Sequence, residues 1–343
     1  MVTAALIWEY IIKSLVIILF LTAGFAYTTL YERKVLARMQ VRVGPNRAGP
    51  FGFLQPVADG IKLIFKEELT PAQADKKIFI LAPIITLVPS LVITAVVPWG
   101  ETVELFGNTY TLYLADINLG VLYIMAVTSI SVFGIALAGW ASNNKYATLG
   151  GLRATAQMIS YELALGLSFV GPIILAGSMS VLDIVRSQQG LWFIFLQPAG
   201  FILFFISSLA EVNRAPFDMP EAEQELTAGY HSEYSGMKFA LFFMAEYIKM
   251  IAIAMIGSSL FLGGFLSPLS QLSGIPLIGW VFASGPHWLL IKVAGWLFVM
   301  IWIRATLPRI RYDRLMQLGW KIMFPIGLVN VIFTAIVVVL VGG

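Results

Sequence analysis

Apolar residues in this chain gather into eight long runs: Leu6–Leu30, Ile78–Trp99, Ile117–Trp140, Met158–Gly177, Trp192–Val212, Met237–Gly263, His287–Arg304 and Ile322–Val341. A bilayer core is crossed by about 20 apolar residues of helix, so each run predicts a transmembrane span. The first run is too long for a signal-peptide core and has no basic leader, which predicts a retained span. Prolines inside two runs, Pro83 and Pro89 in the second and Pro172 in the fourth, are tolerated where neighbouring helices satisfy the freed backbone. Small residues such as Gly134 and Gly139 suit close helix approach. Two intervening stretches carry patterns of their own. Between Leu54 and Leu69 apolar positions recur at Leu54, Val57, Ala58, Ile61, Ile64 and Phe65, with Asp59, Lys62 and Lys66 on the opposite face. That period is an amphipathic helix lying along the membrane surface, either a plain anchor or one wall of an opening for a lipid-like ligand. Glu101–Ala115 reads as two short β-prone runs around Gly107-Asn108, a hairpin. The expected fold is an all-α polytopic membrane protein: eight transmembrane helices, a surface helix and a short external hairpin, in one integral domain over residues 1–343.

Composition agrees. Hydrophobic residues make up 59% of the chain and charged ones 12%, and mean hydropathy is +0.85, which excludes a soluble two-domain reading. The basic balance does not point to nucleic acid, because the bases segregate. Arg33, Lys34, Arg38, Arg42, Arg47, Lys62, Lys66, Lys76 and Lys77 follow the first span, Lys145 and Arg153 the third, Arg214 and Lys238 the fifth, and Arg304, Arg309, Arg311, Arg314 and Lys321 the seventh. By the positive-inside rule these four loops are cytoplasmic and both termini lie outside, as expected in a bacterial plasma (inner) membrane. Cysteine is absent, which excludes cysteine-held iron–sulfur clusters and thiol catalysis in this chain. With two histidines, His231 and His287, a haem or zinc site of its own is not expected. No nucleophile elbow, HExxH or dinucleotide fingerprint is present.

The chemistry concentrates elsewhere. Glu211–Glu225 reads EVNRAPFDMPEAEQE and holds five of the 19 acidic residues, with Arg214 its only base. Clustered, partly buried carboxylates raise one another's pKa and can hold protons near neutrality; the plainer alternative is a solvated face. Glu162 and Glu246 fall inside apolar runs, where an ionisable group costs at least ~2.5 kcal/mol to insert. Lys249 lies three residues beyond Glu246, one helical face, so a structural Glu246–Lys249 pair is an alternative to a relay. Lys292 is a second candidate partner. Glu162, Glu211, Glu221, Glu223, Glu225 and Glu246, joined by Asp218, can form a chain of protonatable sites from the inner surface towards mid-membrane. Arg38, Arg42 and Arg47 around GPN, with the RATLPRIRYDRL run, suit the acidic loop or a partner subunit better than phosphate, although lipid headgroup contact stays open.

Four long segments carry a resemblance. YERKVLARMQVRVGPNRAGPFGFLQPVADGIKLIFKE, ATAQMISYEL, EVNRAPFDMPEAEQELTAGYHSEYSGMKFALFFMAEY and RATLPRIRYDRLMQLGWK closely resemble the H-subunit family (mitochondrial subunit 1) of the proton-pumping NADH–quinone oxidoreductase, respiratory complex I. The likeness runs across nearly the whole chain. It implies a subunit at the joint of hydrophilic and membrane arms, forming the membrane part of a quinone tunnel and the first acidic part of a proton route. On this resemblance the proton-path residues are Asp75, Glu162, Glu211, Glu221, Glu223, Glu225 and Glu246. The quinone-path residues are Arg42, Arg214, Phe217, Asp218 and Arg309, with Ala58, Asp59 and Lys62 bordering the entrance. The implied substrate is a quinone, ubiquinone or menaquinone; flavin and iron–sulfur clusters belong to other subunits and no metal is expected in this chain, so this chain alone is expected to be non-catalytic. Expected partners are the hydrophilic quinone-site subunits, adjacent membrane subunits and lipid. The alternatives are a related subunit of a proton-pumping membrane-bound hydrogenase or of another donor–quinone oxidoreductase, and, from composition alone, a free-standing transporter.

Overall fold

The computed structural model describes residues 4–105, 107–219, 229–268 and 279–342. Helix α1 (Ala4–Met39) is followed by the surface helix α2 (Gln55–Phe65), α3 (Lys76–Val92), strands β1 (Thr102–Leu105) and β2 (Asn108–Thr111), α4 (Gly120–Ala141) and α5 (Lys145–Ala176). Next come α6 (Val181–Arg186), α7 (Phe193–Leu196), α8 (Pro198–Glu211), α9 (Gly236–Phe261), α10 (Gly279–Phe282), α11 (Pro286–Thr306), α12 (Tyr312–Gln317) and α13 (Phe324–Gly342). Among the described residues seven helices are long and apolar enough to cross a membrane. Each falls on one of the eight predicted runs, and the protein is an all-α polytopic membrane protein.

The remaining run, Trp192–Val212, is not one helix. Gln197 leaves helical geometry at φ −131°, ψ 54°, and Pro198 starts α8 afresh as a 14-residue helix. At 1.5 Å per residue α8 is about 21 Å long, short of a ~30 Å hydrocarbon core. The break is held by side chains. Gln197 Nε2 donates to Thr334 Oγ1 at 2.5 Å, and Asn330 Nδ2 donates to Gln197 Oε1 at 3.0 Å. All three residues are buried. Gly171 makes room for this amide, since a Cβ there would lie 2.7 Å from Gln197 Oε1.

Two other boundaries differ. The first helix runs nine residues past its apolar core, to Met39, because YERKVLAR has good helix formers and no breaker. The last span is entered through a π-helical stretch, Leu318–Met323. The hairpin forms as expected, antiparallel with Leu105 opposite Asn108, and so does the amphipathic α2.

Helix α9 is the axis of the bundle: 67% of its most apolar stretch is buried, against 11% each for the windows in α1 and in the last span. Residues Tyr247 to Phe261 are buried on every face, so this segment has no amphipathic stripe to read. Helices α3, α4 and α5 pack closely because their contact points lack side chains. A Cβ on Gly139 would lie 2.6 Å from the Ala147 carbonyl, and one on Gly151 would meet Gly139 Cα at 3.2 Å. This tight trio, α8 and the N-terminal half of α9 enclose the site.

Candidate functional site

Arg214 follows the C-terminus of α8 in a turn where Asn213 takes φ 58°, a left-handed conformation that Asn tolerates better than most residues. The turn drives the guanidinium inward, where it is 5% exposed. Its Nη1 donates to both oxygens of Glu32, at 2.9 and 3.1 Å, and its Nε is 2.5 Å from Glu246 Oε1. Its Cζ lies over the Tyr247 ring at 4.3 Å, and the Tyr247 hydroxyl donates to Glu32 Oε2 at 2.8 Å. Arg304, from the C-terminal end of α11, adds a second cation on Glu32 Oε1. Burial alone would pull Arg214 down, but Glu246, Glu32 and Tyr247 outweigh it and hold its pKa above the ordinary value. One anchored cation thus joins carboxylates from α1 and α9, and removing a member of such a set strands an uncompensated charge at about 3–5 kcal/mol.

A second buried pair lies beside the first. Glu211, 1% exposed at the end of α8, accepts from Lys249 Nζ at 2.6 Å, and the same ammonium donates to Ser131 Oγ on α4 at 3.1 Å. Glu162 on α5 accepts from Ser129 Oγ, two residues along α4. Glu211, Glu246, Lys249 and Ser131 all line one cavity of about 30 Å³, with Tyr230 and Asn213. An ordered water occupies roughly 10–15 Å³ on this measure, so the cavity has room for about two between the two pairs. Carboxylates, a lysine and hydroxyls around water-sized space are the parts from which proton relays are built.

The predicted Glu246–Lys249 pair is therefore not the pairing found. The i, i+3 geometry is present, but each side chain has a better-placed partner from outside α9: Arg214 for Glu246 and Glu211 for Lys249. Nor does Lys292 serve Glu246. It donates to the carbonyls of Leu262, Gly264 and Leu266 at 2.6 to 2.7 Å and lies 4.5 Å from the Trp192 ring centre.

Other predicted residues distribute as follows. Phe217 is buried, 5.6 Å from the Tyr161 ring. Asp218 is half-buried. Arg309 is half-buried and reaches Met219 Sδ at 3.5 Å. On α2, Asp59 pairs with Arg33 of α1 at 2.7 Å, while Ala58 and Lys62 are exposed. Arg42 is exposed and donates to Gln40. Asp75 is exposed and caps α3 by accepting from the backbone N–H groups of Lys77 and Ile78. Glu221, Glu223 and Glu225 lie outside the described residues.

Sequence reasoning missed Glu32. It follows the first apolar run directly and precedes Arg33 and Lys34, so it reads as part of a charged loop. The signal was there: with α1 continued to Met39, Thr28 and Glu32 fall one turn apart on one face, and both are buried.

Comparison with known proteins places the chain in a family. The family model described as NADH dehydrogenase matches residues 12–335. The chain is 52% identical to the first of the NADH-quinone oxidoreductase H subunits of Geobacter sulfurreducens, across 95% of this chain and 94% of that protein. It is 50% identical to the NADH-quinone oxidoreductase H subunit of Thermomicrobium roseum, across 96% and 97%, and 50% identical to the H subunit from Protochlamydia amoebophila, across 90% and 91%. With a family model spanning nearly its whole length and near-full-length relatives at half identity, this integral membrane chain belongs to the NADH dehydrogenase family, alongside the H subunits of NADH-quinone oxidoreductases.

Proposed function

We propose that this chain is the membrane subunit of a proton-translocating NADH–quinone oxidoreductase that borders the quinone path and starts the proton route. The observation that carries the reading is the cavity shared by the Arg214–Glu246 and Lys249–Glu211 pairs. Reducing a quinone takes up protons, and a fixed cation flanked by carboxylates responds to a change of charge nearby by exchanging partners. Arg214 stays charged. Glu32 and Glu246 compete for it, so displacing either carboxylate leaves the other with the guanidinium. Glu211 and Lys249 carry the same contest deeper, with Ser131 and Ser129 leading towards Glu162.

On this reading the quinone runs between α1, α2 and the turn after α8, past Phe217, Asp218 and Arg309, with Arg42, Ala58, Asp59 and Lys62 at its mouth. Glu221, Glu223 and Glu225 continue the acidic route, and Asp75 adds a carboxylate at its surface end. The base-rich loops face the cytoplasm of a bacterial inner membrane, towards the hydrophilic partner subunits. The electron carriers reside in those partners, so the isolated chain neither oxidises NADH nor reduces quinone; turnover by the purified chain would contradict this. The functional test is Glu246→Gln in assembled enzyme, its amount first checked on a native gel. Quinone-linked turnover and proton translocation are expected to fall together, because a coupled cycle stops when one step is blocked. Wild-type levels of both would return Glu246 to a purely structural role.

A further inference from the structure

Gln157 lies on α5, five residues before Glu162, and is fully buried. Its Nε2 faces three oxygens of a single turn: the Ala210 carbonyl at 2.8 Å, the Phe217 carbonyl at 2.8 Å and Asn213 Oδ1 at 3.2 Å. An amide nitrogen has two hydrogens, so two straps are full bonds and the third is shared. The set of acceptors also fixes which way the amide points, since the reversed orientation would place Oε1 against three oxygens. Met158, the next residue on α5, accepts from Asn213 Nδ2 through its sulfur at 3.4 Å. Two consecutive residues of one helix thus grip the turn at its start, middle and end.

What the turn carries is the site itself. Ala210 immediately precedes Glu211, and Arg214 stands between the strapped carbonyls. Glu211 must reach Lys249 while Arg214 reaches Glu32 and Glu246, with partners on two different helices. The backbone bonds Arg214 N–H to the Leu209 carbonyl, at 3.2 Å, and Phe217 N–H to the Arg214 carbonyl, at 2.8 Å, close the turn locally. Gln157 is the side chain that ties both of its ends to α5.

We infer that Gln157 is a positioning residue for the coupling machinery, holding the Glu211–Arg214 turn so that both ion pairs form at once. The inference rests on the functional reading above and deepens it. A residue that acts by placing Glu211 and Arg214 together has less left to place once Glu211 is neutralised, so the two losses must fall short of multiplying.

The test is a double-mutant cycle in membranes containing the assembled complex at wild-type amount, comparing Gln157→Leu, Glu211→Gln and both together. Gln157→Leu is expected to lower kcat of quinone-linked NADH oxidation about ten- to hundredfold, the scale expected of an ångström-sized misplacement, with KM for quinone little changed. The double variant is expected to be faster than the product of the two single losses would make it. Wild-type kcat in Gln157→Leu, or losses that multiply in the double variant, would overturn the positioning role. If the leucine variant does not assemble, Gln157→Glu replaces it in the same cycle: it keeps the size but, charged or neutral, cannot supply two donors. A different result marks failure of the functional reading itself, namely Glu211→Gln with wild-type turnover and proton translocation while Gln157→Leu is impaired.

Discussion

Two cations towards opposite ends of α9, Arg214 buried and Lys292 half-buried, solve one physical problem in two ways. Arg214 meets charge with charge: Glu32 from α1 and Glu246 from α9 neutralise it, and Tyr247 completes the shell. Lys292 meets charge with dipoles, donating to three main-chain carbonyls just beyond the C-terminus of α9. Leu262 is the C-cap of α9, at the negative pole of its peptide dipoles, and Gly264 and Leu266 belong to the turn that follows, so this lysine caps the helix end and its exit turn. The difference bears on function. Carbonyls cannot take up protons or exchange partners, whereas a guanidinium shared between two carboxylates can favour one or the other as charge moves nearby. The first arrangement is responsive and the second is fixed, although both look from composition like intramembrane ions.

The largest effect expected on this comparison is that of Arg214→Leu. It leaves Glu32 and Glu246 without their common cation at about 3–5 kcal/mol, and quinone-linked turnover of whatever complex assembles should drop by roughly a hundredfold or more. Retention of near-normal turnover would erase the distinction between the two cations. Lys292→Met sharpens the contrast from the other side. It deletes the cap and should cost about 1–3 kcal/mol as carbonyls lose their donor, read as a lower unfolding temperature or less assembled complex. Turnover per assembled complex should stay within about twofold of wild type, since one and a half kilocalories would be needed for roughly tenfold; a selective loss of turnover would move Lys292 into the responsive class. The smallest effect concerns the rim. Ala58→Trp on exposed α2 should slow reduction of long-tailed quinones a few-fold more than short-tailed ones, whereas equal slowing of both would make α2 an anchor only.

How much of this was legible in the sequence depends on the range of the interactions. The spans, the hairpin around Gly107-Asn108 and amphipathic α2 are local patterns and read directly. The broken fifth run was half-legible: Gln197-Pro198 is written in the chain, but only the Asn330 amide and the Thr334 hydroxyl of α13 explain why a polar break is stable there. The charge pairing was not legible. Spacing on α9 joins Glu246 to Lys249, whereas the folded chain gives each a partner more than thirty residues distant in sequence. Glu32 was hidden for the same reason: Arg214 lies 182 residues away, Tyr247 215 and Arg304 272. Local periodicity places a residue on a face, but only the packing of α1, α8, α9 and α11 decides which face opposes which.

The polar layer of the Gln197 and Asn330 amides and the Thr334 hydroxyl bears on how the chain is made. Helix α13 leaves the ribosome after α1 to α12, and its span is apolar and little buried, so lipid can hold it alone. Entry into the bilayer therefore asks nothing of the rest of the bundle. Docking does, because lipid tails match leucine for leucine and supply no drive to associate. What the bundle offers the newcomer is a pre-set polar notch at one depth, where Gln197 can meet only Asn330 and Thr334. A helix that slid by one turn would bury those groups in hydrocarbon, so the layer acts as a depth gauge during biogenesis, setting the register of α13 after it has entered the membrane.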